Sequence, residues 1–194
     1  MKTTIKRIDG NWNLGFALDK HSVASVPIGE NAYGHMQFDT TRTDVGEALF
    51  QLKYRNDWSQ VNVLASVLAE VLYPKFQDID LVIPMPASTV RSRQPVTEIA
   101  SALGNIIRRP CFDNLLLKSP SGSSLKNLNT KAEKAEALKD TLSVNQGAIG
   151  NEGRWNALLV DDVYHTGASI EAACLVLRGY AKIGKIYVAA LTWR

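Results

Sequence analysis

The chain has only two cysteines, Cys111 and Cys174, and neither belongs to a CxxC pair. The three histidines, His21, His35 and His165, are as scattered as the cysteines. That spacing offers no zinc-ligand pattern, so both thiols read as small buried hydrophobes. No stretch approaches the roughly 20 consecutive apolar residues that a membrane helix needs. The opening MKTTIKRIDGNWNLG has no apolar core of the kind a secretory signal carries, so a cytoplasmic protein without membrane contact is expected. Excess charge is lacking too: 22 Lys and Arg against 19 Asp and Glu leave +3, too little to indicate a nucleic-acid partner. Basic and aromatic residues do not interleave as they do in single-strand binders. Lys118, Lys126, Lys131, Lys134 and Lys139 give 118–139 a local basic bias. On composition alone, that bias favours a solvated face over a polyanion-binding loop. No internal repeat is present.

What is present is ordinary globular composition, 45% hydrophobic and 21% charged over 194 residues, enough for one domain or one domain with an appendage. Residues 1–43 have no strong period. Ile5, Ile8, Trp12, Leu14, Phe16 and Leu18 alternate loosely around Asp9–Gly10, which predicts short strands with a turn there. Gly29 and Gly34 flank a further loop. From Asp44 the period becomes helical: Val45, Leu49 and Leu52 share one face, and Val61, Leu64, Ala65, Leu68 and Leu72 form a second helix that stops before Pro74. LVIP (81–84) predicts a strand, and Val96, Ile99, Ala100, Leu103, Ile106 and Ile107 a helix. FDNLLL (112–117) reads as a strand, KSPSGSSLKNLNT (118–130) as a mobile loop, and Ala132, Ala135, Leu138 and Leu142 as a helix. NALLVDD (156–162) is a strand of the fully buried type. A helix through Ile170, Ala173, Cys174, Leu177 and Ala181 follows, then a last strand, KIYVAALTW (185–193). Strands alternating with helices predict an α/β fold, a parallel sheet covered on both faces.

The stretch with chemical content is LLVDDVYHTGAS (158–169). Ligands of open parallel sheets sit at the carboxyl ends of strands, where Asp161 and Asp162 stand. The turn after them opens a helix whose first N–H groups lack partners and suit an anion. Gly167 permits close approach, and Thr166 and Ser169 add hydroxyls. The turn therefore suits a phosphate, while the carboxylates suit sugar hydroxyls or Mg2+. A ligand carrying both a sugar diol and a phosphate satisfies every group. The plainer reading, that Asp162 and Ser169 only shape and cap the turn, leaves the second acid unexplained. A receiver domain also carries an acidic pair after a strand, but near its start and with a further Asp downstream, and no Asp follows Asp162 here. A nucleotide-hydrolysing P-loop fails as well. GYAKIGKI (179–186) has Ile186 in place of Ser or Thr and runs from helix into strand.

LLVDDVYHTGAS resembles the phosphoribosyl pyrophosphate (PRPP) binding motif of type I phosphoribosyltransferases: an apolar run, two acids, then a Thr-Thr-Gly-x-Ser/Thr turn. Other segments resemble the ComF-type branch of that family, named for a competence protein. These are LFQLKYRND (49–57), VIPMPAS (82–88) with the arginine-rich stretch and RQPVTEIASALG after it, and LKNL (125–128). The resemblance spans residues 44–194, which it implies are the core domain, a parallel sheet flanked by helices. Residues 1–43 then become a β-rich segment in the place of an acceptor-binding hood. The zinc-ribbon cysteines that often precede the ComF domain are absent, and His165 replaces the first Thr of the turn, exchanging a small hydroxyl for a ring donor.

The resemblance implies a Mg2+-dependent glycosyltransferase that displaces pyrophosphate from the ribose anomeric carbon of PRPP. Asp161 and Asp162 would serve catalysis by holding the ribose hydroxyls, directly or through Mg2+. Tyr164, His165, Thr166, Gly167, Ala168 and Ser169 would cradle the 5′-phosphate. Ala87 and Ser88 would approach the pyrophosphate, Arg91 and Arg93 could neutralise it, and Lys126 could close over it. Lys53, Tyr54 and Arg55 could reach the site. The alternative is a PRPP- or nucleotide-sensing protein without turnover, serving DNA uptake or repair. The acceptor, the pathway and the choice between monomer and homodimer stay open.

Overall fold

In a computed structural model the structure describes residues 1–87, 89, 91–119 and 141–194. Among these, β1 (Lys6–Arg7), β2 (Leu14–Lys20), β5 (Leu81–Pro84), β8 (Trp155–Tyr164) and β9 (Ile183–Trp193) form a sheet ordered β1-β2-β9-β8-β5. β2, β9, β8 and β5 are mutually parallel, and only the short edge strand β1 runs antiparallel.

The near-continuous apolar run of β8 has the form expected of a strand buried on both faces. Its side chains alternate. Ala157 and Leu159 join Ile83, Val188 and Ala190 under α4 (Ala168–Arg178), whose Ile170, Ala173, Cys174 and Leu177 cover that face. Leu158 and Val160 join Val82, Ala189 and Leu191 on the other face. There the cover comes from α1 (Asp44–Arg55), α2 (Gln60–Val67) and α3 (Pro95–Ile107), through Leu49, Leu52, Leu64, Ile99 and Leu103. The fold is thus α/β with three layers, as the alternating pattern predicted. Cys174 lies in the core and Cys111 is half-buried, and burial pushes both thiols up to about 12, so neither is a thiolate.

The helix ends follow local chemistry. Thr43 caps α1, its hydroxyl accepting from Gly46 N at 3.0 Å and donating to Lys20 O at 2.6 Å. Asp44 and Glu47 open α1 and Lys53 and Arg55 close it, matching the helix dipole. α2 continues as a π turn, Leu68–Leu72, and Pro74 falls in the single 3-10 turn Tyr73–Lys75.

Four expectations need correction. Residues 1–43 are not a separate unit. β2 lies inside the central sheet, with Ala17 and Leu18 fully buried, and only the hairpin β3 (Ser22–Glu30) and β4 (Met36–Arg42) stands apart. FDNLLL is not one strand: Cys111 bridges to Val82 beside β5, a turn follows at 113–114, and only β6 (Leu116–Lys118) is extended. Asp113 and Asn114 favour that turn. Leu142 belongs to β7 (Leu142–Val144), the antiparallel partner of β6, because its neighbours' hydrogen bonds are taken by that ladder. Residues 132–140 of the expected helix lie outside the described residues, as does 120–130 of the expected mobile loop. Ala181 lies beyond α4, which tightens and ends where Gly179 N and Tyr180 N donate to Val176 O and Leu177 O.

α1 approaches the β2–β3 junction so closely that a Cβ at Gly46 would lie 2.0 Å from His21 O. Gly46→Ala should therefore displace α1 and lower stability by roughly 1–3 kcal/mol, as measured by urea unfolding. An unchanged midpoint would show that α1 can shift without cost.

Candidate functional site

The alternation of β8 continues to its carboxyl end and separates the two acids. Asp162 takes the face of Leu158 and Val160, where α1 packs, and its Oδ2 accepts from Lys53 Nζ at 2.5 Å. Asp161 takes the opposite face, on which the Lys118 ammonium acts electrostatically. Asp161 Oδ1 accepts from Asp162 N at 2.8 Å. Adjacent in sequence, the two carboxyls thus differ in their cations: Asp162 is paired with Lys53, whereas Asp161 has only the weaker electrostatic effects of Lys53 and Lys118.

Both acids line a cavity of about 230 Å³. Its other walls are Lys53, the segment after β5 with Pro86, Ala87, Thr89 and Arg91, and the start of α3 with Gln94 and Pro95. Arg91 Nη1 donates to Lys53 O at 3.1 Å, tying the loop to α1. Burial, then the charge of Asp162, pushes the Asp161 carboxyl up to about 8, against smaller opposing effects of the Asp162 amide, Lys53 and Lys118. Burial lowers Lys118, with Asp161 opposing.

Beyond β8 the chain turns through 165–167 into α4. Gly167, at φ +80°, is the N-cap and offers no side chain, and Ala168 N donates instead to Thr166 Oγ1 at 3.5 Å. A Cβ at Gly167 would also lie 3.1 Å from the Tyr164 ring, so both backbone and contact require glycine. Tyr164 packs edge-on to Trp12, with ring centroids 6.4 Å apart. Thr166 and Ser169 are half-buried, Ala168 is buried, and His165 is exposed.

Not every anticipated residue converges. Asp161, Asp162, Ala87, Arg91 and Lys53 line one cavity, and Tyr164 to Ser169 lie at the end of the same strand, outside it. Arg93 turns away. Its guanidinium is paired with both carboxylate oxygens of Glu98, at 3.2 and 2.9 Å, and sits 4.0 Å over Trp58. Tyr54 is exposed against Phe50, and Arg55 also faces that ring. Ser88 and Lys126 lie outside the described residues. His21 and Thr192 were not anticipated. His21 Nδ1 lies 3.1 Å from Thr192 Oγ1, which donates to Asp162 O at 3.0 Å. No local pattern marks His21; only the parallel pairing of β2 with β9 brings it there. Burial, with Arg194, Arg42 and Lys53 nearby, pulls its imidazole down to about 4, against a smaller pull from Asp162.

Among the described residues no three His, Cys, Asp or Glu side chains cluster as a metal cage, and no helix is long and apolar enough to cross a membrane. Two carboxyls at the end of one strand fit a hard cation that keeps water and ligand oxygens in its remaining positions.

In metal-free buffer the Asp161 carboxyl should make stability fall with rising pH. The unfolded chain releases this proton near 3.8 and the folded chain near 8, and the state that holds more protons loses ground as pH rises. Asp161→Asn should therefore gain on wild type across that window, reaching roughly 1–3 kcal/mol at pH 8 in thermal unfolding. A difference that does not grow with pH would contradict the raised value.

No protein-family model matches the chain. Over 138 residues, 70% of its length, it is 29% identical to the competence protein ComFC of Bacillus subtilis, and the match spans 55% of that protein. Among solved structures it is similar to adenine phosphoribosyltransferase from Leishmania tarentolae. That match has a TM-score of 0.50 and 10% identity, over 98% of this chain and 95% of the other. It is also similar to the glutamine PRPP amidotransferase of B. subtilis, with a TM-score of 0.51 and 15% identity, over 82% of this chain and 34% of the other. The fold is that of the type I phosphoribosyltransferases, and the resemblance to their ComF-type branch is borne out by ComFC.

Proposed function

We propose that this chain, on its phosphoribosyltransferase fold, binds PRPP and displaces pyrophosphate from the ribose anomeric carbon. One observation carries the reading: the Asp161–Asp162 pair ends β8 between the glycine-capped start of α4 and the cavity under Pro86 and Ala87. The amides at the start of α4, with Thr166 and Ser169, suit the 5′-phosphate. The two carboxyls suit the ribose hydroxyls. Ala87 and Arg91, with Lys53 behind them, suit the pyrophosphate. Arg93, already paired, is left out of that set.

Asp161 and Asp162 would hold Mg2+, which when bound supplies charge neutralisation for the departing pyrophosphate. Burial and the charge of Asp162 raise the Asp161 carboxyl, and a bound cation would offset both by favouring its ionised form. Lys53 holds Asp162 in place through their ion pair. The bond to the leaving oxygen loosens toward an oxocarbenium ion, which the adjacent carboxylates favour electrostatically.

A second reading, PRPP or nucleotide sensing without turnover, is favoured by His165. The exposed ring stands where the resemblance expects a small hydroxyl against the phosphate. ComFC is described as a competence protein, so a part in DNA uptake accompanies this reading.

Calorimetric titration with PRPP and Mg2+ should give saturable binding to wild type. Asp161→Asn/Asp162→Asn should weaken it by at least about 100-fold. Pyrophosphate release with a panel of nucleobases then separates the readings: release supports transfer, and binding without release supports sensing. A folded wild type that binds no PRPP would overturn both.

A further inference from the structure

β3 and β4 form a hairpin that is fully built yet stands clear of the central sheet. Asn31 closes its turn, with Oδ1 accepting from Tyr33 N and His35 N at 2.9 and 3.0 Å. At its base Arg42 reaches back to α1, its guanidinium 3.8 Å over Phe50 and 3.4 Å from Glu47. Between these ends the side chains are open to solvent: Val26, Ile28 and Phe38 are each more than half exposed, and Met36 about half. A two-stranded ribbon is marginal in water on its own, and lasting stability takes three or more strands. The hairpin therefore has the form of half a sheet.

Its two outer edges are not alike. β3 carries Pro27, which has no N–H to donate, and both irregularities of the ladder, the extra residues being Val23 and Ile28. Proline and bulges blunt an edge against further pairing. β4 has neither over Met36–Arg42, and among the described residues no strand lies beside its outer edge. We infer that β4 pairs antiparallel, edge to edge, with β4 of a second copy of this chain. The two hairpins then make one four-stranded sheet, ordered β3-β4-β4-β3 across a two-fold axis.

A second copy is the occupant because the strand complements itself. An axis through Phe38 sets Phe38 against its own copy, Met36 against Thr40, and Gln37 against Asp39. The Phe38 rings meet at the centre, widened by Pro27, which lies opposite Phe38 in the hairpin. On the other face each Gln37 amide donates to an Asp39 carboxylate, once on either side of the axis. Within that ladder no like charges are opposed. Neighbouring registers do worse. An axis through Asp39 sets two carboxylates against each other, and one through Gln37 leaves only residues 36–38 of each strand paired. The inference concerns assembly and does not rest on the transferase reading.

Sedimentation velocity of the full chain, from micromolar to near-millimolar concentration, should show a reversible monomer–dimer equilibrium. Phe38→Lys sets two ammonium groups against each other at the axis and should weaken the dimer at least about tenfold. The register also predicts opposite signs at one position. Gln37→Glu, facing Asp39, should weaken the dimer and Gln37→Lys should tighten it, each by about three- to tenfold. Both side chains are exposed, so the variants should keep the circular dichroism spectrum of wild type. A wild type that stays monomeric throughout overturns the inference and leaves the β4 edge to a different protein. A dimer indifferent to Phe38→Lys, or one that does not answer oppositely to the two Gln37 variants, overturns it too, because the copies then meet elsewhere or in another register.

Discussion

The ion pair between Lys53 and Asp162 is the constraint on which the site depends. It joins the last turn of α1 to the carboxyl end of β8 and leaves both side chains only partly exposed. A half-buried carboxylate without its cation would be costly, so α1 must stay where it is. Three other features hold it there. Thr43 ties its start to Lys20, Gly46 lets its backbone rest against His21, and Arg91 bonds the carbonyl of Lys53. Helix, the loop after β5 and strand end thus form one linked unit.

Asp161 is the complement of this arrangement. Its neighbour has a cation at hydrogen-bond distance, whereas Asp161 has chiefly burial and a like charge beside it. The pair is therefore unequal: one acid is tied to an ammonium group, and the other is raised by burial and by its neighbour's charge.

Much of this was legible in the sequence because it obeys local periodicities. The amphipathic stripes placed α1, α2, α3 and α4, and the apolar runs placed β5, β8 and β9. The acidic pair and Gly167 pointed to the strand end and the turn that they occupy. What was not legible depends on non-local pairing. The segment 1–43 has too little period to reveal that β2 is a parallel neighbour of β9, and so that His21 joins the site. Arg93 looked equivalent to Arg91, yet Glu98, five residues on, claims it. FDNLLL looked extended throughout, but its backbone groups are shared between Val82 and the β6–β7 ladder. Lys118 showed only as part of a basic bias, and its approach to Asp161 comes from the pairing of β6 with β7.

The pleat of β8 also has a genetic consequence. The two acids reach opposite layers only because their parity along the strand is fixed against Leu158 and Val160 below them. Conservative apolar substitutions within 157–160 leave that parity intact. Loss of a single codon there would invert it relative to the residues before the deletion, sending Asp161 toward α1 and Asp162 away. Lineages carrying this strand should therefore tolerate volume-conserving apolar exchanges in its buried half, yet show no length variation between Ala157 and Asp162.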